Sequence, residues 1–483
     1  MNRFGLIVFL FLFGSSISNA QSKPEWTKVF QEINQEVEQN SKAYSTLQHA
    51  TQTIGHRLTG SANGAKAEQY AYDLLKTYGL DEVNFAPFEA ESWSRGTLSV
   101  DIDNKNYKAV TLAHSPVKAN VFEGIVDMGN GLEEDYIKQA GIAKGKIVFA
   151  ALGILPGSRQ GLNNLHRSEK TALAIKHGAA GIIFFNNAPG NILLTGTASV
   201  TGKLIPIPAV CISNTDGMAI KQILQSKACK AKISMTNFSG KIMARNVIGI
   251  IKGKSLPDEK IVIGGHLDSW DLATGANDNG IGSFSVIDIA RTFSALHLRA
   301  ERTIEFVLFM GEEEGLLGSK AYLNQSIKNK TVDNIRYMIN LDMSNNPKGF
   351  TSTAEEDKAL FTSIGNIAKQ IDTSFNNTFS SGFDLHSDHQ PFMLKGIPTS
   401  GVSGDLSKEV IDCYHADCDV FALVNEIGLK NTVQFTAMLL YGLADASSLL
   451  AKPLNDDVLR EKLIQSNLKE PLKLAGEWRW KDR

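Results

Sequence analysis

A chain of 483 residues is too long for one ordinary core, so two domains and a tail are expected. Its composition, 43% hydrophobic and 21% charged, is that of a globular protein and excludes a disordered one. A net charge of −2 carries neither the basic excess of a nucleic-acid binder nor the acidic excess of a disordered tail, so no nucleic-acid partner is expected.

The chain opens with MNRFGLIVFLFLFGSSISNA, in which Arg3 precedes an apolar run from Phe4 to Phe13 and small residues follow. That is the pattern of a secretory signal cut after Ala20. The run is too short for a stable bilayer anchor, and no later stretch approaches ~20 uncharged apolar residues. The mature chain is therefore expected to be exported, periplasmic or secreted, without inserting into a membrane. Export lets the four cysteines, Cys211, Cys229, Cys413 and Cys418, be read as two disulfides with three possible connectivities.

Residues from 21 begin helically, and a Gly/Ser/Asn-rich turn then precedes an amphipathic helix expected over 65–78. The segment RGTLSVDIDNKNYKAVTLA alternates as strands do. From about 118 the texture changes to short β-rich runs (NVFEGIVDMG, GKIVFAALG, AAGIIFFNN, IPIPAVCIS) separated by helices such as SEKTALAIKHG, a small unit ending near Ser239. Beyond it the pattern is strand, loop, helix, repeated: KIVIGG, RTIEFVLFM, IRYMINL and GIPTSGV are the strands, and NGIGSFSVIDIARTFSAL is a long helix between the first two. Alternating β and α predict a doubly wound, mixed α/β sheet. The tail carries one charged amphipathic helix, DDVLREKLIQSNL, with no assigned chemistry.

Acids and histidines of the last α/β block fall at element ends. His266 and Asp268 follow KIVIGG, Asp278 in GANDNG precedes the long helix, Glu312 and Glu313 follow RTIEFVLFM, and Asp342 ends IRYMINLD. His415 lies in CYHADCD, between Cys413 and Cys418. In an open α/β sheet the carboxyl ends of strands form the ligand crevice. Taken singly, each motif reads more readily as a turn, a cap or an acidic loop than as a site. Taken together, two histidines and three carboxylates suit two zinc ions, one carboxylate bridging, with a shared water made acidic. A further carboxylate must take that water's proton and pass it on. Asp268 is placed to accept the other ring N–H of His266.

The motifs GGHLDSWD, GANDNG, GEEEGLLGS, INLDM and YHADCD resemble, in order, those of the zinc aminopeptidase/carboxypeptidase family M28. The resemblance implies two Zn2+ per chain held by His266, Asp278, Glu313, Asp342 and His415, with Asp278 bridging, Glu312 as general base and Asp268 behind His266. It also implies a cis peptide at Asp278–Asn279. Asn279 stands where many members have Asp, at a position that is not a ligand. A narrower likeness, in GHRLTGSANGAKAEQYAYDLLKTYGLDEV and GGHLDSWDLATGAND, is to a carboxypeptidase branch of exported, dimeric exopeptidases acting on dipeptides and short peptides. It makes the insert a protease-associated domain. The implied organisation is a signal peptide (1–20), an N-terminal part of the peptidase domain (21–118), the insert (119–240), the catalytic domain (241–453) and a helical tail (454–483). Two other readings remain beside the exopeptidase: a binding protein on a peptidase scaffold, and a single-zinc N-terminal cyclase.

On the substrate side, FDLHSDHQPFMLKGIP matches the family only in outline. His389 either polarises the substrate or is a hydrogen-bonded loop histidine, Asp388 is equally open, Tyr414 lines the pocket or packs, and His386 is unassigned. A self-contained zinc knuckle at CYHADCD lacks a second ligand pair at finger spacing. A Cys413–Cys418 bridge is therefore expected to clamp the loop around His415, Asp419 to orient it, and Cys211 and Cys229 to form the other pair.

Overall fold

The structure is a computed structural model and describes residues 24–481, so the expected signal at 1–20 lies outside the described residues. Its strands are β1 (Glu82–Ile102), β2 (Lys105–Tyr107), β3 (Ala109–Thr111), β4 (Lys118–Asp127), β5 (Ile147–Ala151), β6 (Gly181–Phe185), β7 (Ala209–Ile212) and β8 (Lys230–Ile251), followed by β9 (Leu256–His266), β10 (Arg302–Phe309), β11 (Ile335–Asn340), β12 (Pro347–Ser352), β13 (Thr378–Ser381) and β14 (Thr399–Gly404). They form one continuous sheet in the order β13-β12-β14-β11-β9-β10-β8-β4-β5-β6-β7-β3, with β1 paired to β8. The centre of the peptidase half, β14-β11-β9-β10, is parallel, and β8 closes it antiparallel. The expected doubly wound mixed sheet is therefore present.

Strand β10 is buried at every residue, as a parallel strand covered on both faces must be. Helices Ile281–Ala295 and Glu426–Asp445 cover one face beside the N-terminal helices Pro24–Asn40 and Ala43–Thr53, in a core that includes Phe284, Phe293, Phe306 and Tyr441. Trp26 donates its indole N–H to Asp445 at 2.8 Å, tying the first helix to the end of that C-terminal helix. The helix expected over 65–78 starts earlier and runs Ala62–Tyr78, because the Ser61 side chain caps the Gly64 N–H.

The insert is built on β4-β5-β6-β7, parallel, with separate hydrophobic clusters on its two faces. It is not hung on a loose linker. Strands β1 and β8 pair antiparallel from Glu82↔Ile250 to Ile102↔Ala231, with one register shift between Arg95 and Leu98, and run from the peptidase half into the insert. The expected boundary at 240/241 falls inside β8, and β1 reaches back through residues 82–94, which alternation alone does not mark as strand.

Two cysteine expectations meet different outcomes. Cys413 and Cys418 form a disulfide, their Cα atoms 5.2 Å apart. Cys211 and Cys229 are both free and buried, which corrects the expected second bridge. The reason is strand alternation: Cys211 packs with Phe184 and Ala209 on one face of the insert sheet, and Cys229 with Phe185 and Val210 on the other. Among the described residues no helix is long and apolar enough to cross a membrane.

Candidate metal centre

The carboxyl ends of β9, β10 and β11 bring the expected residues together. His266 is the last residue of β9, Glu312 and Glu313 follow β10, Asp342 follows β11, and Asp278 precedes the helix Ile281–Ala295. Asp278 stands between the two histidines. Its Oδ1 is 3.4 Å from Nε2 of His266, and its Oδ2 is 2.8 Å from Nε2 of His415. Each histidine has a second carboxylate: Asp342 Oδ1 lies 3.5 Å from His266 Nε2, and Glu313 Oε2 lies 3.1 Å from His415 Nε2. Two His–carboxylate half-sites thus share one aspartate.

His266 is 1% exposed, Asp278 5%, Glu313 4% and His415 7%, so this charge sits away from water. Burial alone would lower the His266 imidazole, but the carboxylates of Glu312 and Asp342 outweigh it and hold it well above its ordinary value. Burial pushes Asp278 up, and the His415 and His266 imidazoles overcome that and hold it well below the carboxylate range. Burial raises Glu312 well above its ordinary value against the pull of His266, with Glu313, Asp342 and Asp388 adding to the rise. Asp278 Oδ2 and Glu313 Oε1 are buried without a hydrogen-bond donor. Buried carboxylate oxygens left without a hydrogen bond, in a cluster with two imidazoles, are what a divalent cation satisfies, so the donor set fits metal. Among the described residues, His266, Asp278 and Glu313 form a group whose ligand atoms lie within 4.8 Å of one another.

The surrounding contacts hold these side chains in place. Nδ1 of His266 donates to the backbone oxygen of Asp268 at 3.1 Å, while the Asp268 carboxylate is 3.6 Å away. The expected carboxylate–histidine hydrogen bond is thus made by the main chain. The Asp268 carboxylate instead accepts the backbone N–H groups of Glu312 and Glu313, at 3.2 and 3.3 Å, and joins the ends of β9 and β10. Asp342 Oδ2 accepts from Ser387 at 2.7 Å. Asp419 accepts the backbone N–H of Asn277 and of Asp278, at 2.9 and 3.0 Å, and so ties the His415 loop to the loop that carries Asp278. The Asp278–Asn279 peptide is cis. Asn279 donates its amide to Leu341 O at 2.8 Å and accepts from Gly282 N and Met343 N, both at 3.1 Å. An ionised Asp cannot make the first of these bonds, which gives the departure at this position a physical role. His415 adopts φ +53°, a left-handed backbone, inside the loop closed by Cys413–Cys418.

A cleft of about 600 Å³ opens onto Asp278, Glu312, Glu313, Asp342 and His415. Tyr414 and His389 line it. Tyr414 stacks on His415, ring centroids 3.9 Å apart, and also packs against the insert, so it both lines and packs. His389 Nε2 lies 2.6 Å from Asp384 Oδ1, and that contact within its own loop outweighs burial and raises its imidazole. Asp388 is fully buried, lines no part of the cleft, and has its carboxyl pushed up to about 7 by burial. His386 stacks on His166 of the insert, centroids 4.6 Å apart.

Sequence reasoning missed two arginines. Arg57, fully buried, donates to the backbone oxygens of Leu267, Thr274 and Gly275 at 2.6, 2.7 and 2.8 Å and clamps the loop after β9. Arg167, in the insert, lines the cleft and places Nη2 2.6 Å from His415 Nδ1. Its guanidinium lies flat against Gly196, where a Cβ would come within 1.9 Å of it. It is 6% exposed, and its Nε has no hydrogen-bond partner. Among the described residues no carboxylate pairs with it. SEKTALAIKHG, just after Arg167, reads only as a helix, and nothing beside it signals contact with a histidine 248 positions away.

Residues 246–440 match the sequence model of Peptidase family M28, and residues 117–220 match that of the PA domain. Carboxypeptidase Q of Xenopus laevis is 25% identical over 427 residues, covering 85% of this chain and 88% of that protein. A probable leucine aminopeptidase 2 of Aspergillus fumigatus is 28% identical over 364 residues, covering 72% of this chain and 68% of that protein. In fold, the chain is similar to the crystal structure of a peptidase M28 precursor from Shewanella amazonensis, with TM-score 0.77, 24% identity, and coverage of 90% of this chain and 100% of that one. It is also similar to a zinc aminopeptidase from Bacillus subtilis, with TM-score 0.64, 22% identity, and coverage of 86% and 98%. The clustered residues at the strand ends all fall inside the segment that matches Peptidase family M28, residues 246–440, and the PA-domain match at 117–220 lies ahead of it.

Proposed function

We propose that the protein is an exported di-zinc exopeptidase hydrolysing dipeptides or short peptides. The observation that carries this reading is the single carboxylate of Asp278, set between two histidines that each have a further carboxylate of their own. In this reading His266 and Asp342 would hold one zinc and His415 and Glu313 the other, with the Asp278 carboxylate available to both. Zinc so held supplies Lewis acidity toward a water and toward the scissile carbonyl. Glu312 lines the cleft beside the cluster, takes a proton from the attacking water and returns it to the leaving amine. Asp268 is a positioning residue: through the N–H groups of Glu312 and Glu313 it sets base and ligand relative to each other.

Arg167 supplies what the terminus of a substrate needs. A buried guanidinium without a carboxylate partner is costly, and a peptide's free carboxylate completes it with charge-assisted hydrogen bonds. The reading therefore favours recognition of a free C-terminus. The complete ligand set and base count against a binding protein on a retired scaffold and against a single-zinc cyclase. Residues 1–20 and the Cys413–Cys418 bridge support export. The resemblance to a dimeric branch supports a homodimer, which sedimentation tests.

A panel of dipeptides, free or blocked at either end, assayed with Zn2+ and after chelation, tests the function. Cleavage lost to the chelator, restored by Zn2+ and dependent on a free carboxylate is expected. Cleavage indifferent to chelation sinks the metal mechanism, and a preference for C-terminal amides removes the role given to Arg167.

A further inference from the structure

The tail, which sequence reasoning left without chemistry, forms part of the cleft. Its helix Lys469–Leu474 touches the insert helix Arg167–Lys176. Successive faces of this short helix pack on different bodies. Leu474 lies against the insert's cluster around Leu173 and Leu194, whereas Leu472 is fully buried with Met393 of the peptidase body and with Leu459 and Leu463 of the tail's preceding helix. Just beyond it, Glu477 is held at both oxygens. Oε1 pairs with Lys320 Nζ at 2.9 Å, and Oε2 accepts from Gln390 Nε2 at 2.7 Å. Gln390 in turn accepts the His386 backbone N–H at 2.8 Å. Pro471, Ala475 and Glu477 line the same cleft as Glu312 and Asp278.

We propose that this segment is the end wall of the cleft, bridging insert and peptidase body, and that it restricts the enzyme to short peptides. The inference rests on the exopeptidase reading and specifies its substrate length. A cleft between two bodies admits a long chain wherever it stays open. Here the bridge crosses from one body to the other, fastened apolarly at Leu472 and Leu474 and by a charged latch at Glu477. A dipeptide fits on the near side of the bridge. A longer chain collides with Pro471 and Ala475 or must lift the segment. Because each face is anchored separately, lifting costs the Leu474 contact and the Lys320–Glu477 pair together.

The test compares the parent protein with Glu477→Ala and with a chain ending at residue 468, on a dipeptide, a tetrapeptide and an octapeptide sharing the same scissile residues. Thermal melting is recorded for each. In either folded variant the ratio of kcat/KM for octapeptide to that for dipeptide rises about tenfold or more, while dipeptide cleavage persists. An unchanged ratio in a folded Glu477→Ala protein overturns the proposal, whatever the fate of the truncated chain. Loss of dipeptide cleavage in a folded variant also counts against it, since a wall is not part of the machinery. A parent protein that cleaves no peptide at all refutes the exopeptidase reading instead, so the two failures are distinct.

Discussion

The guanidinium of Arg167 lies 2.6 Å from the imidazole of His415, which makes the inserted domain a part of the metal centre's surroundings. Both residues are buried, and neither the insert nor the peptidase body contains this contact alone.

Substituting Arg167 by alanine is expected to lower kcat/KM about 10–100-fold for dipeptides with a free carboxylate, the range of a lost charge-assisted hydrogen bond. Carboxyl-amidated analogues should lose far less. Arg167→Lys keeps the charge without the planar fork and should recover only part of the loss. Kinetics on the paired substrates, with zinc content checked in each variant, provide the measurement. An equal loss on both substrates would assign Arg167 to His415 alone.

Glu312→Gln removes the proton acceptor and keeps the side chain's shape. Turnover should fall by roughly 10²–10⁴-fold, the usual worth of a positioned general base, while zinc content stays at the parental level. Near-normal kcat would take Glu312 out of the mechanism.

Thiol titration of the denatured, unreduced protein should find two free thiols, Cys211 and Cys229, with Cys413 and Cys418 joined. Replacing Cys413 and Cys418 by alanine opens a small loop, costing about 2 kcal/mol of stability by the loop-entropy estimate. It should also weaken zinc retention, because His415 sits inside that loop in a left-handed backbone conformation.

His114 is 1% exposed at the edge of the insert, and burial lowers its imidazole to about 4. The folded state keeps it neutral, while an unfolded chain binds a proton below about 6.5. Between these values the unfolded chain holds more protons, so this residue's contribution to stability falls as pH drops from 6.5 to 4. The slope is at most about 1.4 kcal/mol per pH unit. In denaturant melts across this window the parent should lose stability more steeply than His114→Gln as pH falls. Parallel curves would show that His114 is not held neutral.

Much of the candidate site was legible in the sequence because its residues sit where hydrophobic strands stop. A buried parallel strand is a continuous apolar run, so the first charged residues after KIVIGG, RTIEFVLFM and IRYMINL mark the strand ends and share one crevice. What was not legible depends on contacts made across the chain. Residues 82–94 contain Pro87 and several glutamates and do not alternate cleanly, yet they form strand because β8 pairs with them throughout. Cys211 and Cys229 share the insert, but strand alternation sends them to opposite faces. Arg167 and Glu477 reach the cleft only through docking of the insert and the tail, which no local pattern records. Asp268 was placed correctly beside His266, but its main-chain oxygen, not its carboxylate, makes the hydrogen bond.

The two-metal reading itself is tested most directly by the zinc content of the purified, dialysed protein, measured by elemental mass spectrometry against protein concentration. Two zinc ions per chain are expected, falling below two in a folded Asp278→Asn variant, whose shared ligand is weakened. One zinc per chain in the parent, or none, would contradict the account.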